Sequence, residues 1–261
     1  MPRSIWNGVI TFGMVSIPVG LSTAVSTKDI AFHQIHKSCG SRIKLQKYCP
    51  HDERVVNNDE LIKGYEYSKG SYVFMSDEDF EDLPVPSKHT IEVIAFVRAE
   101  EIDPVYYDST YYLEAEESGR KPFALLMKAV KGKGVQALGK IALRNKESLC
   151  VIREGADGGV ILETLYFPDE IRQPVDQKLD DIKVEDKELK MANSLIEMLE
   201  EKFDPSQYQD EYRKALMERI EAKVAGKEVQ HAPEVAPTKV VDLMEALKKS
   251  LEEAKKKKKT G

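Results

Sequence analysis

The amino-acid sequence predicts a mainly β protein with some α-helix, in which a β-barrel or β-sandwich comes first and a helical region follows. Strand-like segments rich in β-branched and aromatic residues recur up to about residue 175, without the helical alternation of a doubly wound sheet. One helix interrupts them, because Pro122 suits the first turn of a helix that runs to about Val130. After Pro174 the apolar residues instead recur at helical spacing. The chain of 261 residues is long enough to bury a sizeable core.

The strands are predicted from composition and from turn residues. The first spans residues 5–18, with Gly8 and Gly13 where a strand bends and Pro18 where it stops. Asp157-Gly158-Gly159 is a turn signal that leads into the last strand. The remaining strands are expected at residues 29–36, 71–75, 90–97, 105–113, 139–145, 148–154 and 160–167.

Three helices are predicted after Pro174. The first spans residues 185–202, and the second begins with Asp204 as its N-cap and Pro205 in its first turn. Gly226 ends that helix, and a linker with two prolines separates it from a short amphipathic helix. The domains are therefore expected to be a core of residues 1–175, a helical arm of residues 176–226, a linker of residues 227–238 and a terminal segment of residues 239–261.

Charge is segregated along the chain. The net charge is −6, from 39 basic and 45 acidic residues, so the molecule as a whole should repel DNA. Residues 120–146 nevertheless carry eight cations and no acid, and residues 28–54 carry six cations against three acids. This pattern is typical of a basic working surface, with merely solvated faces as the alternative. The cations that could contact nucleic acid are Lys28, Lys37, Arg42, Lys44, Lys47, Lys128, Lys131, Lys133, Arg144 and Lys146.

The composition also argues against membrane and secreted proteins. No run approaches the ~20 apolar residues that a membrane helix needs. No basic-then-apolar leader opens the sequence, so secretion is not expected. Three cysteines do not make a disulfide framework. We therefore expect a cytoplasmic protein that does not contact the membrane.

Five sequence blocks resemble the Ku family, whose members ring broken DNA ends. The first is Arg3-Ser-Ile-Trp-Asn-Gly-Val-Ile-Thr-Phe-Gly-Met-Val-Ser-Ile-Pro18, which holds the chain's one tryptophan. The order and spacing of the blocks fit the short prokaryotic form, and together they cover about residues 1–225. The other four are Phe32-His-Gln-Ile-His36, Asp103-Pro-Val-Tyr-Tyr-Asp-Ser-Thr-Tyr-Tyr-Leu113, Phe123-Ala-Leu-Leu-Met127 and Pro168-Asp-Glu-Ile-Arg172.

The resemblance implies a homodimeric, sequence-independent binder of double-stranded DNA ends with no catalytic activity of its own. Each subunit of such a protein contributes a β-barrel core, an inserted DNA-encircling bridge and a helical C-terminal arm. A bridge inserted after the first barrel strands makes residues 28–54, with Arg42, Lys44 and Lys47, candidates for the lumen of the ring. The family recruits and stimulates a multifunctional ATP-dependent DNA ligase, and so promotes double-strand break repair by non-homologous end joining. In a bacterium this function belongs at the nucleoid.

The terminal helix resembles the family peptide that engages the ligase. Its sequence is Val240-Val-Asp-Leu-Met-Glu-Ala-Leu-Lys-Lys-Ser-Leu251, and the chain then carries five consecutive lysines. The helix could pack onto the parent domain, but the proline-containing linker favours a tethered helix that docks in a groove of the partner. Its anchors would be Leu243, Met244, Leu247 and Leu251.

Two other functions are alternatives to DNA-end binding. A non-catalytic β-barrel scaffold for protein interactions would leave the basic segments as solvated faces. A metal-dependent nuclease could use the acidic cluster Asp77–Asp82. However, a helix capped by Ser76, with acids in its first turn, explains that cluster better. Residues 134–140 match a phosphate-binding loop up to the lysine, but Ile141 stands where Ser or Thr should hold magnesium, so nucleotide hydrolysis is rejected.

One group of residues has the side chains that zinc prefers. A structural zinc site usually takes four such ligands in two tight pairs, and a second Cys-x-x-Cys is missing here. We therefore expect no cofactor, with zinc as the open alternative to a loop that carries free thiols. The zinc candidates are His36, Cys39, Cys49 and His51.

Overall fold

The chain consists of a β-rich unit followed by a helical unit. These two compact units are Met1–Gln173 and Pro174–Gly261. Within the part of the chain that the structure describes, no helix has the length and apolarity needed to cross a membrane. The structure is a computed structural model that describes residues 4–81, 83, 89–143, 146–175, 177–226 and 243–260.

Most strands of the first unit close into a barrel, which confirms the predicted fold class. The strands are β1 (Trp6–Phe12), β2 (Val15–Thr23), β3 (Tyr48–Cys49), β4 (Arg54–Val55), β5 (Lys63–Ser68), β6 (Ser71–Met75), β7 (Thr90–Val97), β8 (Tyr107–Ala115), β9 (Gln136–Leu143), β10 (Lys146–Glu154) and β11 (Val160–Leu165). The barrel has the order β1-β2-β8-β11-β10-β9-β7. Neighbouring strands are antiparallel except β1 and β7, which pair in parallel. Because the sheet closes on itself, it leaves no unpaired edge.

The first predicted strand is a hairpin of β1 and β2, so the prediction of one strand that stops at Pro18 is wrong. Gly13 forms the turn with a φ of 58°, a left-handed conformation that glycine adopts without steric cost. Pro18 lies inside β2, opposite Val9. Since β2 pairs with β8 only from Val19 onward, the missing N–H of Pro18 leaves no gap in that ladder.

Close packing between β1 and β7 explains the opening block of the sequence. Trp6 packs against the core, and Gly8 follows two residues later on the same face of β1. A Cβ atom at Gly8 would lie 2.3 Å from the Trp6 ring and 2.4 Å from the carbonyl oxygen of His89. Glycine at this position therefore lets the tryptophan ring and the start of β7 meet.

The barrel interior and one helix form the hydrophobic core. This helix, α2, spans Arg120–Lys133 and places Leu126, Met127 and Val130 in the core. It extends beyond the predicted helix at both ends, and Gly134, with a φ of 65°, caps its C-terminus. Each fully buried Ile or Leu contributes about 1.5–3 kcal/mol by leaving water. The main barrel side chains of the core are Ile10, Ile17, Val19, Leu21, Ile91, Leu113, Ile141, Cys150, Ile152 and Leu162.

Residues 24–89 form an insertion between β2 and β7. The insertion contains the two-stranded sheets β3–β4 and β5–β6 and the short helix α1, Asp77–Glu81. The predicted strand at residues 29–36 is wrong, because only Ile35 forms a bridge, opposite Arg42. Residues 31–36 are exposed and belong to no strand, so that segment has neither a neighbouring strand nor a buried face to stabilise it.

The second unit is helical. The predicted helix start at Asp204 is wrong, because Asp204 caps only a 3₁₀ turn. The next helix begins instead after Asp210, whose carboxylate accepts the Arg213 N–H at 2.9 Å. The α-helices of its described residues are α3 (Asp186–Leu199), α4 (Glu211–Val224) and α5 (Leu243–Thr260), and α3 packs against α5.

Candidate nucleic-acid interface

A hydrogen-bonded turn in the insertion carries several of the predicted DNA-binding cations. The Ile43 N–H donates to the Gln34 carbonyl at 2.9 Å, and the backbones of Ile35 and Arg42 pair between them. Gly40, with a φ of 69°, lets the chain reverse. Arg42 is therefore carried by a defined backbone turn, although no regular strand forms there.

The five cations of the insertion that were predicted to contact DNA are exposed, and none of the five has an acidic partner within 4 Å among the described residues. Arg54 differs from them, because its guanidinium lies 2.6 Å from Glu60 and this hydrogen bond raises the pKa of Arg54. A cation with no carboxylate partner keeps its charge available for a phosphate. The five cations are Lys28, Lys37, Arg42, Lys44 and Lys47.

Helix α2 adds a second group of cations. Lys128 and Lys133 are exposed and have no acidic partner among the described residues. Lys131 donates to Glu154 at 2.8 Å, so part of its charge is already neutralised. Lys131 and Lys133 lie in the last turn of α2, where cations stabilise the negative end of a helix.

Of the two remaining predicted cations, Lys146 begins β10. Lys146 donates to Glu170, and this hydrogen bond raises the pKa of Lys146 and lowers that of Glu170. Lys140 lies 3.5 Å from Glu147. Arg144 is outside the described residues. Lys131 and Lys146 are thus weaker candidates for phosphate contact than the five cations of the insertion.

The acidic residues of the block from Asp103 to Leu113 have structural roles. Asp103 caps a 3₁₀ turn by accepting the Val105 N–H at 2.9 Å. Asp108 accepts the hydroxyl of Tyr166 at 3.0 Å and that of the buried Thr164 at 3.2 Å. The hydrogen bond to Asp108 raises the pKa of Tyr166. These contacts tie β8 to β11 where their pairing is irregular.

The acidic cluster Asp77–Asp82 is a helix cap in the residues that the structure describes, with Asp82 outside them. Asp79 accepts the N–H and the hydroxyl of Ser76 at 2.7 and 2.8 Å, and these hydrogen bonds lower the pKa of Asp79. Asp77 lies 3.0 Å from Lys63. Asp79 is therefore engaged in capping, as the interpretation of Ser76 predicts, and Asp77 in an ion pair.

The zinc candidates come together only as one pair. His36 Nδ1 lies 3.0 Å from Cys39 Sγ. Hydrogen bonds from Ser41, and then from His36, lower the pKa of Cys39 to about 7. Cys49 and His51 lie in or beside the β3–β4 hairpin, and the described residues contain no group of three or more His, Cys, Asp or Glu side chains placed to hold a metal. Zinc binding stays the open alternative to a loop that carries free thiols.

The predicted anchors of the terminal helix share one face of α5. Met244, Leu247 and Leu251 are half-buried, while Leu243 is exposed. The three half-buried anchors lie on a helix that packs on α3, so the alternative of packing within the parent chain also has structural support.

The β5–β6 hairpin is a surface that the sequence reasoning missed. Its aromatic side chains are exposed, for example Tyr65 at 69% and Phe74 at 68%. A two-stranded sheet is marginally stable alone, so such a surface indicates a partner. The signal was present in the sequence, because Lys69-Gly70 is a turn between two aromatic segments.

Comparisons with known proteins agree on one family. The family model described as Ku, Ku70/Ku80 beta-barrel domain, matches residues 11–191. Proteins named non-homologous end joining protein Ku are 44% identical in Symbiobacterium thermophilum, 45% in Frankia casuarinae and 42% in Heliobacterium modesticaldum, each over 97% of this chain. The chain spans 63% and 64% of the length of the first two relatives and 92% of the third.

Proposed function

Because the chain belongs to the Ku family, we propose that it binds double-stranded DNA ends and acts in the repair of double-strand breaks by non-homologous end joining. Membership also agrees with the prediction that the protein is not an enzyme, since Ku proteins are non-catalytic DNA-end-binding proteins. Chromosomal DNA ends would place this activity at the bacterial nucleoid.

The five exposed cations of the insertion carry the proposal. Lysine and arginine side chains contact phosphate oxygens, which are the same for every sequence, so they suit a protein that must accept any broken end. Their segment leaves the barrel after β2 and returns at β7, as an inserted bridge requires. The net charge of −6 disfavours DNA elsewhere on the surface, so binding is concentrated at this segment and at α2.

We further propose that two copies of the chain form a ring around the DNA. Two insertions related by a two-fold axis could meet around one duplex. The exposed aromatic residues of the β5–β6 hairpin support a second copy as the partner that covers them.

We also propose that the chain recruits an ATP-dependent DNA ligase through α5. Met244, Leu247 and Leu251 form a single apolar stripe on α5, which is the pattern of a helix that docks in a groove.

The test compares a linear duplex with a covalently closed circle of the same sequence. We expect gel shifts with the linear DNA alone, because a ring can load only from an end. Protein loaded on the linear DNA before its ends are ligated should stay on the resulting circle in 1 M salt. Equal affinity for both DNAs would refute end loading, and absence of binding to either would favour the scaffold function.

A further inference from the structure

Helix α3 has two apolar stripes with different environments. The side chains of Leu189, Ile196 and Leu199 are exposed, each by more than half. The second stripe is half-buried and consists of Met191, Ala192, Leu195 and Met198. Leu195 and Ile196 are neighbours in sequence, yet Ile196 is 63% exposed. One side of α3 is therefore covered and the other is open.

Helix α5 covers that second stripe. Its own half-buried residues include Met244, Leu247, Leu251 and Ala254, which follow the i, i+3, i+7 spacing of one helix face. Within the described residues, α5 is the helix that α3 contacts repeatedly. Two amphipathic helices thus bury part of each other's apolar face inside the second unit.

The buried stripe of α5 contains three of the four anchors assigned to the ligase. A side chain cannot lie against α3 and in a partner's groove at the same time. We propose that α3 carries a helix-binding surface that holds α5 in a docked state, and that α5 must leave α3 before a partner can bind its stripe. The role of the partner rests on the proposed function, whereas the docking itself does not.

The contact between α3 and α5 is weak enough for docking to be reversible. The side chains on both stripes are only half-buried. Each therefore contributes less burial free energy than a fully buried residue, for which the value is about 1.5–3 kcal/mol. Docking is intramolecular, however, because residues 200–242 join the two helices, and tethering two sites gives effective concentrations of up to the order of millimolar. Charge also favours contact, because α5 has seven lysines against three glutamates, while α3 has three acidic and two basic residues.

The docking is tested with a fluorescent peptide of residues 239–261 and the full-length chain. The variant Leu247→Asp with Leu251→Asp should release the resident α5 and leave the α3 surface open. For an intrinsic dissociation constant of about 100 μM against a millimolar effective concentration, this variant should bind the peptide about tenfold more tightly than the wild type. Equal affinity for both proteins, measured by anisotropy, would overturn the proposal.

Two α3 substitutions in the released variant locate the surface. Leu195→Asp places a charge on the covered stripe and should abolish peptide binding. Ile196→Asp makes the same change on the exposed stripe and should leave binding intact. If Ile196→Asp abolishes peptide binding and Leu195→Asp does not, the proposal is also overturned. Circular dichroism would check that both variants keep their helices.

A ligase measurement separates docking from recruitment. In the otherwise wild-type chain, Leu195→Asp should free an intact α5 and raise the affinity for an ATP-dependent DNA ligase from the same genome about tenfold. Equal affinity of wild type and variant would show that docking does not control access. If the ligase binds neither form, the recruitment proposal fails, and the peptide measurement still decides whether α3 binds α5.

Discussion

Removing two cations from the insertion should weaken DNA binding by an amount that the salt dependence predicts. Each phosphate contact contributes about −0.9 to the slope of log Kobs against log salt. Five contacts from Lys28, Lys37, Arg42, Lys44 and Lys47 would therefore give about −4.5 for each chain. Replacing Arg42 and Lys44 by Gln should make this slope about 1.8 less steep. If the variant and the wild type bind equally at 1 M salt, the variant should bind roughly 60-fold more weakly than the wild type at 0.1 M.

The assay is fluorescence anisotropy of a labelled linear duplex of about 30 base pairs, titrated at several KCl concentrations. The matched control is Lys131→Gln, because Lys131 already has Glu154 at 2.8 Å and should change the slope by less than half as much per residue. The loss should be the same for unrelated sequences, since phosphates carry no base information. An unchanged slope with Arg42→Gln and Lys44→Gln would exclude these residues from the DNA interface.

Two further predictions concern the barrel and the thiols. Gly139→Ala should lower the free energy of unfolding by more than 1 kcal/mol in urea titrations, because its Cβ would lie 2.6 Å from the Glu92 carbonyl oxygen. Gly132→Ala has open space inside α2 and should instead raise it by about 0.5–1 kcal/mol, so equal effects would contradict the packing argument. Cys39, with a pKa of about 7, should react with iodoacetamide at a rate that rises through pH 7, while burial raises the pKa of Cys150 to about 12 and protects it until unfolding. Mass spectrometry locates the label, and a Cys39 that reacts only after treatment with EDTA would indicate bound zinc instead.

Local patterns predicted most barrel strands, because a strand with β-branched residues and a nearby turn carries its own signal. Asp157-Gly158-Gly159, for example, marks the turn between β10 and β11. The helix cap at Ser76 was recognised in the same local way. The closure of the barrel could not be predicted in this way, because it depends on a parallel pairing between Val9 and Thr90, far apart in the sequence. Composition alone also misassigned residues 29–36, where no neighbouring strand is present in the described residues to complete the hydrogen bonds.

In the candidate DNA-binding site, too, local features could be predicted from the sequence and contacts between distant residues could not. The sequence was enough to propose five cations of the insertion, since a lysine-rich segment is visible directly. It could not show that Lys131 and Lys146 meet Glu154 and Glu170, because each pair is separated by more than 20 residues. The family resemblance, and not the charge pattern, indicated that residues 28–54 are inserted between barrel strands.

The insertion leaves and re-enters the barrel on either side of one strand. β1 is the neighbour of both β2, where the insertion begins, and β7, where it ends. Ile5 donates to Leu21 at 2.8 Å and Val9 donates to His89 at 2.9 Å, so both ends meet the same strand at the same end of the barrel. Two strand spacings, about 10 Å, separate β2 from β7 sideways, and the step from Ile5 to Val9 adds about 13 Å along β1. Such closely spaced attachment points make the insertion modular, because it can lengthen, shorten or change sequence during evolution while the barrel keeps its register.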